Sequence, residues 1–213
     1  MEPHITFCSG CPVSHSKRLA ELIDSTDPGL HRFLFAATGD PLRAIELLAA
    51  AGKGLFSHRL VHAALSGAEL VGACVSFKPD AYAGVLAESV DVVRDAFGPG
   101  QARALDEALQ QLMTITPPFP PSSLFVQNLA VASTHHRLGI GRMLLSKTLQ
   151  QAAASGLKVC ALDVCSENES AMAFYRSLGG RVDSAWSARG IGLLHYVRVH
   201  IPLTVLLKHP PNP

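Results

Sequence analysis

The chain has 213 residues, a formal net charge of +1, and 48% hydrophobic against 16% charged residues. That length supports one sizeable core, the composition is globular rather than disordered, and the small charge gives no overall field to draw in nucleic acid or anionic lipid. No apolar run approaches the ~20 residues of a membrane-spanning helix, and the opening Met-Glu-Pro-His-Ile-Thr-Phe lacks the basic start and apolar core of a secretory signal. Five thinly spread cysteines suit a reducing compartment better than a disulfide framework. The expectation is a cytoplasmic protein that binds neither membrane nor nucleic acid.

Residues 5–8 read as a short strand, followed by Cys8-Ser9-Gly10-Cys11. A zinc site would need a second ligand pair at similar spacing, and a redox site would need other thioredoxin-like features, so these are read as two unremarkable thiols and no metal is expected. Ser14 or Ser16 is placed to cap a helix carrying Leu19, Leu22 and Ile23. Asp27-Pro28-Gly29 reads as a turn before a helical piece over 30–37, and Asp40-Pro41 as the start of a helix ending at Gly52. Two strands follow over 59–65 and 69–77, joined at Ser66-Gly67. Residues 82–113 read as helical, broken at Gly98-Pro99-Gly100, and Pro117 to Pro121 is a stiff extended linker.

Beyond the linker the pattern is regular. Strands are expected over 123–131, 157–164, 181–185 and 193–203, with helices over 139–154 and 170–178. Strand–helix–strand order makes this an α/β arrangement, with a crossover joining the first two of these strands.

The stretch from Leu129 to Arg142 is a strand, a polar turn and two glycines opening a helix. Helix N-termini offer unpaired amide N–H groups and a positive dipole end, so this is a natural pyrophosphate cradle. Arg137 and Arg142 are placed to add charge-assisted contacts. Leu144 stands where a Rossmann fingerprint needs its third glycine, and no Gly-Lys-Ser/Thr follows, so both nucleotide motifs fail. The plainer alternative is that Gly139 and Gly141 serve close packing alone.

A second stretch, Asn168-Glu169-Ser170-Ala171-Met172-Ala173-Phe174-Tyr175-Arg176-Ser177-Leu178-Gly179, follows the next strand. Together the two stretches resemble the GNAT superfamily of acetyl-CoA-dependent N-acetyltransferases. The first resembles its Q/R-x-x-G-x-G/A motif after the fourth strand, with His136 at the initial position and Arg137 next. The second resembles its N-x-x-A-x-x-F-Y-x-x-x-G motif. The resemblance covers about residues 123–203.

It implies a single domain over 1–213, with a mixed, largely antiparallel twisted sheet flanked by helices. The fourth and fifth strands would splay to hold acetyl-CoA in the half from 123 to 205, and residues 1–116 would supply acceptor-side helices. It also implies that Leu129, Ala130 and Val131 offer main-chain groups to the pantetheine arm and polarise the thioester carbonyl. His136, Arg137, Leu138, Gly139, Ile140, Gly141 and Arg142 would hold the pyrophosphate, and Asn168 would touch the arm from the far side. Tyr175 falls at the family's general-acid position, with a core aromatic as its plainer alternative; Phe174 and Leu178 are assigned to the core. The acceptor would be a small-molecule or protein amine.

No residue declares itself as the base that deprotonates that amine; Asp163 and His195 are candidates, and a water chain is another. Residues 77–123 either line the acceptor cleft, build a homodimer interface or pack as an added helical layer. A non-catalytic acyl-CoA-binding module on the same fold is the rival reading.

Overall fold

In the computed structural model, which describes residues 4–189 and 195–204, seven strands form a single sheet. They are β1 (Ile5–Ser9), β2 (Val61–Ser66), β3 (Glu69–Phe77), β4 (Ser123–Val131), β5 (Val159–Cys165), β6 (Arg181–Ser187) and β7 (His195–Pro202). Their order across the sheet is β1-β2-β3-β4-β5-β7-β6. Every neighbouring pair is antiparallel except β4 and β5, which run parallel. The last strand was expected to begin at 193; residues 193 and 194 lie outside the described residues.

The helices are α1 (Ser16–Asp24), α2 (Pro28–Leu34), α3 (Pro41–Ala51), α4 (Tyr82–Phe97), α5 (Pro99–Ile115), α6 (Ile140–Ala154) and α7 (Glu169–Ser177). Asp27 and Asp40 cap α2 and α3 through their carboxylates, each with proline at the first helical position. The Asp27-Pro28-Gly29 turn is therefore the first turn of a helix. Neither Ser14 nor Ser16 caps α1: its cap residue is His15, and the Ser16 hydroxyl donates to the Val13 carbonyl. A short 3-10 turn, His58–Leu60, delays β2 to Val61.

Side chains alternate between two cores, one on each face of the sheet. Ala73 and Val75 pack with α1, α3, α4 and α5, among Leu19, Ile45, Leu48 and Leu105. Cys74 faces the other way, into a core with Leu144, Leu145 and Leu149 of α6 and Met172 and Tyr175 of α7. Covered on both faces, β3 is buried from Leu70 to Phe77, and each buried leucine contributes on the order of 2 kcal/mol by area. A Cβ at Gly72 would stand 2.9 Å from a methyl of Leu144, so the missing side chain lets α6 settle onto β3. The region between β3 and β4 forms the added helical layer: α4 packs on α3, and α5 on α2.

The proline linker is anchored from β7, two strands beyond β4 in the sheet. Arg198 of β7, 1% exposed, donates to both carboxylate oxygens of Asp163 on β5 and to the carbonyls of Pro117 and Pro118. Its guanidinium also lies 5.4 Å from the ring centres of Phe119 and Phe125. Breaking such a buried pair on one side leaves a lone charge. Arg198→Met is expected to lower stability by about 3–5 kcal/mol in urea unfolding, and Arg198→Met with Asp163→Leu to recover much of that loss.

His31 is 1% exposed, with Nδ1 3.2 Å from Asp24 and its ring edge-on to Phe56. Burial, outweighing the attraction of Asp24 and Asp27, lowers its pKa from the ordinary 6.5. The unfolded chain therefore takes up this proton first. Stability attributable to His31 is intact above about pH 6.5 and falls as the pH drops through and below it. Unfolding measured from pH 7.5 to 5 should show that decline, and His31→Gln should flatten it.

Candidate active site

The parallel strands β4 and β5 stay together only at their starts. Ser123 pairs with Val159, Leu124 with Cys160 and Phe125 with Ala161, and pairing ends there. Residues 126–131 of β4 and 162–165 of β5 then border a gap within the sheet. A bulge sits where the strands part: Ser76 of β3 faces Val126 and Val75 faces Asn128, leaving Gln127 unpaired.

Beyond the bulge β4 keeps its register with β3, and the Ala132 N–H donates to the Val71 carbonyl. The alternation of an antiparallel ladder then turns the main-chain groups of Ala130 toward β3, and those of Leu129 and Val131 toward the gap. Of the three residues expected to offer main-chain groups there, Ala130 is committed to the sheet. The Val131 carbonyl is engaged too, accepting 2.8 Å from Nε2 of His136. The His136 ring thereby ties the turn back to the end of β4.

After β4 the chain makes a 3-10 turn, passes through Arg137 at φ +64° and Gly139 at φ +75°, and enters α6. The N–H groups of Gly139, Ile140, Gly141 and Arg142 have no hydrogen-bond partner among the described residues. Leu138 is 54% exposed beside them. A Cβ at Gly141 would meet only Val131 at 3.6 Å and Phe174 at 4.0 Å, both ordinary contacts. Packing does not require a glycine at 141; open space over bare amides does suit an approaching phosphate. Arg142 reaches across to α7, donating to the Ser177 hydroxyl at 2.9 Å.

Asn168 caps α7, its Oδ1 accepting from the Ala171 N–H at 3.0 Å, which leaves the amide NH₂ as its free donor group. Tyr175 on the inner face of α7 is 8% exposed. It belongs to the same core as Cys74, opposite Leu129 on β4, and Cys160, opposite Leu124. It shares this core with Leu124 and Val126 of β4. Burial, then the two thiols, pushes its phenol well above the usual value, and its hydroxyl makes no hydrogen bond to a described residue. Burial also pushes the Cys74 thiol up to about 12 and the Cys11 thiol up to about 11.

Asp163, a candidate base, has both oxygens held by Arg198 and is removed from that role. His195 is half-buried at the start of β7, beside the open end of the gap, and its carbonyl accepts from Ser166. Sequence reasoning missed the corner between α1 and α2. Asn128 donates to the Thr26 hydroxyl at 2.8 Å, and Tyr196 donates to Asp27 at 2.7 Å. The corner thus spans both arms of the gap, on the face opposite α6 and α7.

Over residues 43–179 the sequence matches the Acetyltransferase (GNAT) family. The chain belongs to that family. GNAT enzymes use acetyl-CoA, so this is an acyltransferase with acetyl-CoA as its cofactor. The match begins in α3, well before the stretch that carries the two motifs. No curated protein matches the chain in sequence.

Solved structures share the fold. An N-acetyltransferase from Staphylococcus aureus Mu50 aligns with a TM-score of 0.64 at 14% identity, covering 92% of this chain and 100% of its own. The ribosomal-protein-S18-alanine N-acetyltransferase of Escherichia coli gives 0.54 at 14%, covering 94% of each chain. A Bacillus subtilis acetyltransferase in complex with CoA gives 0.52 at 13%, covering 93% of this chain and 97% of its own. No described helix is long and apolar enough to cross a membrane.

The geometry at α6 makes a two-sided forecast. Gly141→Ala should fold with an unchanged or slightly higher melting temperature, because alanine is the better helix former. Its affinity for CoA by calorimetry should fall about tenfold or more, since the methyl group displaces a phosphate from the amides.

Proposed function

We propose that the chain is an N-acetyltransferase that moves the acetyl group of acetyl-CoA to an amine by direct attack, with Tyr175 as the proton donor. The observation that carries this reading is the gap between β4 and β5, with free amides at one end and a buried phenol in the core on the same face. The amides of Gly139 to Arg142, with Arg137 nearby, suit a pyrophosphate. Leu129 and Val131 face the gap as a strand edge would, and the free amide NH₂ of Asn168 is available from the α7 side.

Acetyl-CoA supplies an activated thioester. The chain's own residues then have to orient it, support charge at the acyl oxygen and supply a proton to the leaving sulfur. A main-chain N–H of the Leu129–Val131 edge is a preorganised donor for that oxygen. Tyr175 keeps its proton across the working pH range, because burial disfavours the phenolate. It therefore serves as a donor and not as a base. The Cys74 and Cys160 thiols are protonated for the same reason, which disfavours an acyl-cysteine route. The free thiols suit a reducing compartment, and we place the protein in the cytoplasm.

Thermal unfolding with acetyl-CoA, and with NAD as control, tests the cofactor through binding linkage; an amine panel read by thiol release tests the transfer. A saturable shift with acetyl-CoA and amine-dependent release of thiol are the expected results. No shift at millimolar acetyl-CoA would sink the reading. Tyr175→Phe keeps the packing and removes the donor, so turnover should drop roughly a hundredfold with acetyl-CoA affinity unchanged. Undiminished turnover would make Tyr175 a packing residue.

A further inference from the structure

The two faces of the gap differ in hydrogen-bonding character. On the α6 side the described groups are donors without acceptors, the amides from Gly139 to Arg142. On the α1–α2 side acceptors predominate, two carboxylates and an amide oxygen, with the buried Trp186 Nε1–H as one donor that has no partner among the described residues.

Asn128 shows this most sharply. The Thr26 hydroxyl has one hydrogen and donates it to the Ile23 carbonyl at 2.7 Å. It can only accept from Asn128, which fixes the amide with its NH₂ toward Thr26. Oδ1 is then left buried, with no partner among the described residues, on a residue only 7% exposed. A buried acceptor left unsatisfied is costly, and such an atom calls for a donor. It sits next to the bulge, where β4 borders the gap.

The corner above it carries Asp24 and Asp27. No Lys or Arg pairs with either among the described residues. Among the described residues Asp24 meets His31 alone, whose burial keeps it neutral, so no described group cancels the carboxylate charge. Asp27 accepts from the Leu30 N–H and the Tyr196 hydroxyl, both neutral donors. Arg198 is held by Asp163 and the linker carbonyls, and brings no positive charge to the mouth. Beside these acids, Leu30 and Phe33 of α2 pack around the Trp186–Tyr196 stack, a largely apolar wall that carries the Trp186 Nε1–H, unpaired among the described residues.

We propose that this mouth selects a cationic alkyl amine with no carboxylate beside its nitrogen, of the polyamine kind, with Asp27 at the rim and Asn128, beside the bulge, as its specificity-determining residues. The proposal rests on the acetyl-transfer reading and narrows its acceptor. An amine with several N–H groups satisfies Oδ1, the rim carboxylates attract its charge, and the apolar wall accepts its methylenes. A free amino acid would bring its own carboxylate against Asp24 and Asp27.

The test is calorimetric titration of CoA-loaded protein, with spermidine as probe and free alanine as comparator. CoA in place of acetyl-CoA prevents turnover. Spermidine should bind saturably, at least tenfold more tightly than alanine, and more weakly as salt is raised. Asp27→Asn retains a good helix cap while removing the charge, and Asn128→Leu removes the amide. Each should weaken spermidine about tenfold or more while the variant still takes up CoA, which shows that it folds. The proposal is overturned if CoA-loaded protein does not bind spermidine, if alanine binds as well, or if both variants bind spermidine like the native chain. A protein that fails to take up CoA at all overturns the acetyl-transfer reading along with it.

Discussion

The early end of the pairing between β4 and β5 is the constraint on which the rest of this structure depends. Two neighbouring parallel strands normally satisfy each other's main-chain groups along their whole length. Here they do so for three residue pairs and then part, which opens an edge inside the sheet. The opening is held from three directions. The bulge at Gln127 turns β4 at the point of parting. Arg198 binds β5, β7 and the proline linker together beside the closed end. The α1–α2 corner crosses the open end, tied to β4 through Asn128 and to β7 through Tyr196. Because α6 connects the two strands, its N-terminus necessarily arrives at the mouth of the gap. A strand edge and a helix N-terminus are thus brought together by topology, and that topology is retained at 11–16% sequence identity to structures of the same fold.

Those devices also sort charge. Placing Arg198 against Asp163 removes the one described fully buried cation from the electrostatics of the gap. What remains is a donor-rich end at α6 and an acceptor-rich corner at α1–α2. Such polarity suits a reaction that joins an anionic cofactor to a cationic partner, because each is drawn to its own side of the sheet.

Elements governed by local chemistry were legible in the sequence. The limits of β4 were readable to the residue, since a proline run bounds its start and a polar turn its end. The Asp40-Pro41 start of α3 was readable because capping requires only neighbouring residues. The free amides at α6 followed from two glycines after a strand. Where the reading failed, the deciding partner lay elsewhere. Asp163 looks available until Arg198, 35 residues on, is found holding both its oxygens. The Thr26–Asn128 contact joins positions 102 residues apart, and no periodicity signals it. Ser16 failed as a cap for a subtler reason: a hydroxyl can donate backward as readily as accept forward, and here it donates to Val13.

The same separation of roles bears on how an amine loses its proton in a site whose obvious carboxylate is already paired. Tyr175 cannot take it, because burial keeps the phenol protonated. At the rim, Asp24 and Asp27 favour the charged ammonium, as nearby opposite charges do. Deeper in, beside Asn128, the environment is buried and its acceptor is a neutral amide oxygen, so desolvation favours the uncharged amine. Passage from rim to gap therefore lowers the amine's own affinity for its proton, and that proton can leave to water at the mouth as the nitrogen moves inward. On this arrangement a dedicated buried base is unnecessary. For the proposed amine acceptor, a gradient between two carboxylates and one fixed amide would perform the deprotonation that Asp163, spent on holding the sheet together, does not.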